Sequence, residues 1–212
     1  MTHEETVTLK TPRLIAVLAA GALLLAGCAS QKGEPTTQFD FGPATPPAAT
    51  QAAPSALGAI VVSDATGSGA LDNERMLYRL SYADALQARA YANSRWTATP
   101  LQMLTQRLRT RIAQAGAKVL TENDVSTGVP IMRIDVDEFS HNFSGVAQSE
   151  GLVVLRASVF QGHVLVDQRS FTRSTPAGTA DAAGGARALA ASTDAIAGDI
   201  VAWLGALNLN RR

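Results

Sequence analysis

Asp135-Val136-Asp137-Glu138 puts three carboxylates within four residues, the side chains that glycosidases pair as general acid and base or nucleophile. Alternation along an extended chain sends Asp135 and Asp137 to the same face of a strand, so their plain reading is a solvated strand edge. The histidines are His3, His141 and His163. His3 falls in a leader described below, and neither of the others has a His, Cys or carboxylate at ligand spacing on a shared helix face. Both read as surface or turn histidines. Ser149 and Ser158 lack the sharp turn of a nucleophile elbow, and no glycine-rich loop opens a helix to cradle phosphate. The expectation is a protein that is not an enzyme and holds neither a metal nor a cofactor.

One side chain has a defined chemistry. Cys28 is the only cysteine, which excludes an internal disulfide framework and a structural thiolate cluster. Lys10 and Arg13 lead into the apolar run Leu14 to Leu25, followed by Ala26-Gly27-Cys28. A basic flank, a short apolar run and small residues at a cleavage point describe a secretory signal peptide. As a helix the run rises about 18 Å, too short for a hydrocarbon core of about 30 Å. Leu25-Ala26-Gly27-Cys28 also resembles a bacterial lipobox, in which the thiol is diacylated, the cysteine becomes the new N-terminus and its amine is acylated in turn. The resemblance makes Cys28 the lipidation site, carrying a covalent diacylglycerol and acyl (palmitate-type) anchor. Several chains, at about 0.8 kcal/mol per buried CH₂, hold far better than one. Ala29, where an aspartate is absent, implies by the enteric sorting rule the inner leaflet of the outer membrane, facing the periplasm.

The elements behind these residues fall into three parts: 1–27 as signal peptide, 28–58 as a lipid-anchored Pro/Ala-rich tether, and 59–208 as one globular domain. Pro35, Pro43, Pro46, Pro47 and Pro54 mark the tether as too poor in apolar area to offset its ordering entropy. Within it, Phe39 and Phe41 stand at period two, and fit a short docked strand or a solvated patch. The domain opens on the strand pattern Ala59 to Val62. Met76 to Leu80 and a run to Ala90-Tyr91 suggest a hairpin. Thr99, Pro100 and Gln102 form a helix start with a capping box; Leu101, Leu104, Leu108, Ile112 and Ala115 give that helix one apolar face, and Gly116 ends it. Val119-Leu120 starts a β-rich section. Met132, Ile134 and Val136 alternate with charged residues, as do Val153, Leu155, Ala157 and Val159 with their neighbours, and Gln161-Gly162 turns the second of these strands into an antiparallel partner. Leu189, Thr193, Ile196, Ile200, Trp203 and Leu207 form a second helical stripe. The expected fold is α+β: a twisted antiparallel sheet with two main helices packed against it.

Charge narrows the partners. Lys+Arg and Asp+Glu are equal at 18 each, which argues against nucleic acid. The charge, neutral in sum, is unevenly placed: Arg75 to Lys118 is strongly basic and Val119 to Gly151 acidic. Arg107, Arg109 and Arg111 flank the first helix's apolar stripe. They suit a partner or lipid-headgroup surface; the alternative is that the basic helix pairs with the acidic strands inside the fold. Trp96, Trp203, Tyr78, Tyr82 and Tyr91 read as core or core-edge residues.

Several of these segments, in their order, resemble the ABC-type transport auxiliary lipoprotein family, the PqiC-like proteins. They are Leu77-Tyr78-Arg79, Tyr91-Ala92-Asn93-Ser94-Arg95-Trp96, Thr99-Pro100-Leu101, Asp167-Gln168-Arg169-Ser170-Phe171 and Asp199-Ile200-Val201-Ala202-Trp203-Leu204. The similarity runs over nearly the whole mature chain. It departs at Phe39-Asp40-Phe41-Gly42, where paired tyrosines are commoner. The resemblance implies a non-catalytic partner of an envelope transporter in which an ATPase, a permease and a periplasmic Mce-domain protein move phospholipids or other hydrophobic molecules between the two membranes. The implied partners are that Mce-domain protein and, through the anchor, outer-membrane lipid; a homo-oligomer stays open. The competing reading is a general envelope-assembly or cell-wall-associated lipoprotein that binds another outer-membrane protein.

Overall fold

The computed structural model describes residues 35–45, 57–124, 127–207 and 209; Cys28 and the signal peptide lie outside them. Thr36 to Arg212 forms one compact unit. Its elements are β1 (Thr37–Phe39), β2 (Ala59–Val62), β3 (Thr66–Gly67), a 3-10 turn (Gly69–Leu71), β4 (Arg75–Leu80), β5 (Asp84–Trp96), α1 (Pro100–Gln114), β6 (Lys118–Leu120), β7 (Ile131–Phe143), β8 (Ser149–Gln161), β9 (Val164–Pro176) and α2 (Ala182–Ala206).

The α+β arrangement is present, and its sheet is mixed. β7, β8 and β9 form an antiparallel meander, and β4 pairs antiparallel with β5. The other edge of β7 receives β2, β3 and β4 in succession, all parallel to it. β6 adds to β2 and β1 to β5, again parallel. A long central strand can serve three short ones because each needs only a few ladder bonds. The parallel pairs join strands far apart in sequence, and strand patterns carry no mark of that pairing.

A β-bulge in β7 decides what the sheet points inward. The register with β8 slips between Val136 and Glu138, so one residue is left over and the alternation changes phase. Before the slip Met132, Ile134 and Val136 are buried; after it Phe139, His141 and Phe143 are.

The helices form where the sequence places them. Thr99 Oγ1 accepts from the Gln102 amide and the Gln102 side chain accepts from the Thr99 amide, the reciprocal capping box. Gly116 sits at φ +96°, the left-handed conformation that closes α1. The Leu104, Leu108 and Ile112 stripe is fully buried. α2 begins at Asp181, whose carboxylate accepts from the Gly184 amide at 2.7 Å. Leu189, Ile196, Ile200, Trp203 and Leu204 bury its inner face. Its approach to β8 is so close that a Cβ on Gly151 would fall 2.4 Å from the Leu189 amide nitrogen. Both helices feed a single core with Trp96, Met76, Met132 and Leu155.

Phe39 and Phe41, which fit a docked strand or a solvated patch, are docked. β1 pairs with Ser94 to Trp96 of β5, and both rings pack on the core. Among the described residues no helix is long and apolar enough to cross a membrane.

Candidate functional site: the α1 flank and its strap

α1 presents a polar ridge, with Gln102 and Gln106 exposed, between two clefts. One, of about 640 Å³, lies between α1 and the strap of residues 40–44; Asp40, Phe41, Gly42, Met103 and Thr110 are among its walls. The other, of about 570 Å³, lies between α1 and the 64–72 loop, lined by Asp64, Thr66, Asp72, Thr105 and Arg109 among others. Thr105 fastens this second side: its hydroxyl accepts from the Ala65 amide and donates to the Leu101 carbonyl, both at 2.8 Å.

The three arginines hold the fold together. Arg107 is buried, 6% exposed. Its Nε lies 3.2 Å from Asp194 Oδ1 of α2, its Nη2 donates to the Phe41 carbonyl, and its guanidinium sits 5.8 Å from the centre of the Phe41 ring. Arg111 grips the same carboxylate with both ends of its fork, at 2.8 and 2.6 Å, and donates to the Thr45 carbonyl at 2.6 Å. Gln114 adds a bond to the Ala44 carbonyl at 2.8 Å. Arg109 turns the other way, to the Val62 carbonyl at 3.0 Å and to the exposed Asp64 at 3.0 Å. The first-helix arginines therefore find Asp194 and Asp64, with backbone carbonyls, and not the acidic strands. Among the described residues, it is Arg79 of the basic segment that pairs with those strands, at 3.2 Å from Glu138.

Phe41 completes the clasp from the strap side. Its ring meets Trp96 edge-on at 6.0 Å and Phe139 at 5.9 Å, and Trp96 and Phe139 are 5.7 Å apart. A second aromatic cluster lies where β4, β5 and β7 meet: Tyr78 on Tyr91 at 4.6 Å, and His141 on Phe143 at 4.4 Å.

His141 corrects the expectation of a surface or turn residue: it is fully buried. The phase change at the bulge turns it inward, against Gly185 of α2, where any Cβ would collide with the imidazole. Tyr91 Oη is 2.8 Å from Nδ1, while Nε2 has no partner. Burial lowers the His141 pKa to about 4, against a weaker opposing pull from Asp181, and burial also pushes the Tyr91 phenol up. His163 is exposed beside Gly162 in the hairpin turn. Asp137 is exposed, and Asp135 accepts from Thr66 at 2.7 Å and lies 3.6 Å from Arg156. Ser158 Oγ accepts from Gln168 at 2.7 Å. Ser149 is buried without a hydrogen-bond partner for its hydroxyl. Among the described residues no three of His, Cys, Asp and Glu gather where an ion could be held.

The late segments of the resemblance meet each other. Trp203 Nε1 donates to Asp167 at 2.7 Å, Phe171 touches Trp203 edge-on at 5.7 Å, and Arg173 grips Asp199 with two bonds of 2.6 and 2.7 Å. They fasten α2 along the outermost strand, β9. Trp96 and Trp203 are core residues, whereas Tyr82 is about half exposed.

Two stability predictions follow from this geometry. Breaking a buried ion pair by removing one member leaves an uncompensated charge. Asp194→Asn is therefore expected to lower the unfolding free energy by about 3 kcal/mol in urea titrations, and Arg109→Gln by only about 1 kcal/mol. The second prediction concerns pH. Native His141 resists protonation until pH falls to about 4, whereas the unfolded chain takes up that proton near 6.5. The stabilisation is whole above 6.5 and is lost as pH falls toward 4, on the order of 3 kcal/mol in all. Asp124, Asp167 and Asp181 titrate lower than ordinary aspartates because hydrogen bonds hold them ionised, so their losses set in as unfolded aspartates begin to take up protons below about pH 5. Unfolding followed from pH 7 to 5 should show this slope in the native protein and a nearly flat line in His141→Phe.

A family model described as "ABC-type transport auxiliary lipoprotein component" matches residues 39–201, from the end of β1 through most of α2. Among solved structures, a protein from Xanthomonas campestris superposes with a TM-score of 0.61 at 20% identity, over 80% of this chain and 91% of that one. The crystal structure of an uncharacterized protein superposes with a TM-score of 0.65 at 13% identity, over 81% of this chain and 99% of that one. At such identities these are likenesses of fold. No curated protein matches the sequence. The family match begins inside the docked strand, takes in the arginine clasp and both aromatic clusters, and ends within the helix that carries Asp194. On that match, over well more than half its length, this chain belongs to the family of ABC-type transport auxiliary lipoprotein components.

Proposed function

We propose that this protein is the non-catalytic outer-membrane lipoprotein of an Mce-type ABC transport system that moves phospholipids or other hydrophobic molecules between the inner and outer membranes. Cys28 carries the acyl anchor, Ala29 directs the protein to the outer membrane's inner leaflet, and the domain faces the periplasm, where it docks an Mce-domain protein. The observation that carries this reading is the family match across the domain. The order of parts along the chain supports it: a lipobox, a Pro/Ala-rich segment, then a domain.

Arg107 and Arg111 are engaged with Asp194 and the strap, while the partly exposed Arg109 borders the cleft beside the 64–72 loop and stays a candidate for partner contact. The exposed Gln102 and Gln106 ridge, with its flanking clefts, is the better candidate on α1. The test is mass spectrometry of proteins recovered with the tagged, lipidated chain from gently solubilised envelopes. The expected result is an Mce-domain protein together with its permease and ATPase. Recovery of an outer-membrane barrel or a cell-wall protein in their place would support the general envelope-assembly reading and overturn this one.

A further inference from the structure

The tether contains a fixed point. Between Cys28 and β1 lie only the eight residues Ala29 to Thr36. From Thr37 to Thr45 the chain is gripped. β1 pairs with β5, the Thr97 amide donates to the Phe39 carbonyl at 2.9 Å, and Phe41 enters the Trp96 and Phe139 cluster. The carbonyls of Phe41, Ala44 and Thr45 then each accept from an α1 side chain, Arg107, Gln114 and Arg111. Three of these grips act on backbone carbonyls, so they fix where the strap lies along α1. Asp194, on a different helix, holds both arginines in place.

We propose that this clasp sets the length of the membrane leash. This rests on the reading of Cys28 as the acylated residue. With the clasp closed, the leash is Ala29 to Thr36, and whatever its conformation β1 stays within about 30 Å of the anchor. A leash running to Gly58 would allow roughly 100 Å. The number of residues between Thr45 and Leu57 then no longer affects the distance to the bilayer. The domain is a fixture of the membrane surface, and the periplasmic distance must be covered by the partner.

The test compares two insertions of twenty Gly/Ser residues in the full lipidated protein, one after Ser30 and one after Ala52. Each protein is placed in a supported phosphatidylethanolamine/phosphatidylglycerol bilayer, and neutron reflectometry measures the solvent layer between headgroups and protein. The insertion after Ser30 should thicken that layer by about 10 Å, on coil scaling. The insertion after Ala52 should leave it at the native value, and should thicken it only when combined with Phe41→Ser. Equal thickening by both insertions in the otherwise native protein would overturn the clasp while leaving the anchor in place. Failure of all the proteins to hold to the bilayer, with an unmodified Cys28 peptide by mass spectrometry, would overturn the anchor reading and the leash with it.

Discussion

A guanidinium inside a protein is costly unless its charge is matched. Arg107 is in that position, its Nε facing Asp194 as an ion pair without a hydrogen bond and its Nη2 donating to the strap, and these contacts organise one whole side of the molecule. The charge is matched by Asp194, which brings α2 against α1. Donation to the Phe41 carbonyl draws in a strap from the far N-terminal side. Arg111, one turn along, repeats both bonds with the same carboxylate and a later carbonyl. One aspartate thus supports two arginines, and through them the strap, α1 and α2 become mutually dependent. Packing of Phe41 against Trp96 and Phe139 adds an apolar seal that orients the strap but would not by itself fix its position along the helix.

The opposite side of the domain is held by different means. There the β7–β8–β9 meander carries α2 through close backbone approach at Gly151, the Ser192 hydroxyl bonded to the Gly151 carbonyl at 2.7 Å, and the Trp203 and Arg173 contacts to β9. Trp96 falls at the first fastening and the two late segments of the family resemblance at the second, while Tyr78 and Tyr91 meet each other in the second aromatic cluster.

Much of this was readable from residue order. Thr99, Pro100 and Gln102 announce α1 because capping is local chemistry, and the β7–β9 meander follows from alternation and the turn at Gly162, whose φ of +62° favours glycine. What was not readable is non-local or out of phase. Parallel pairing of β2, β3 and β4 along β7 leaves no trace in any one strand. The inward His141 depends on a bulge near Asp137 that strict alternation does not reveal, although the jump from Val136 to Phe139 as the next apolar residue is its one sequence sign. The role of Arg107 was hidden for a related reason. A basic residue beside an apolar stripe looks the same whether it meets solvent, a partner or Asp194 some eighty residues later; only its place on the buried arc of α1, between Leu104 and Leu108, hints at the answer. Cys28, by contrast, was assigned from local pattern alone and lies outside the described residues.

The account rests on Asp194 holding the strap through the two arginines. Its most direct test is hydrogen exchange at the Thr97 amide, whose acceptor is the strap carbonyl of Phe39, in the native protein and in Asp194→Asn. The account predicts strong protection in the native protein, lost in the variant under conditions where the β7–β8 amides remain protected. Equal protection of Thr97 in both proteins would contradict it, because the strap would then be held without the ion pair.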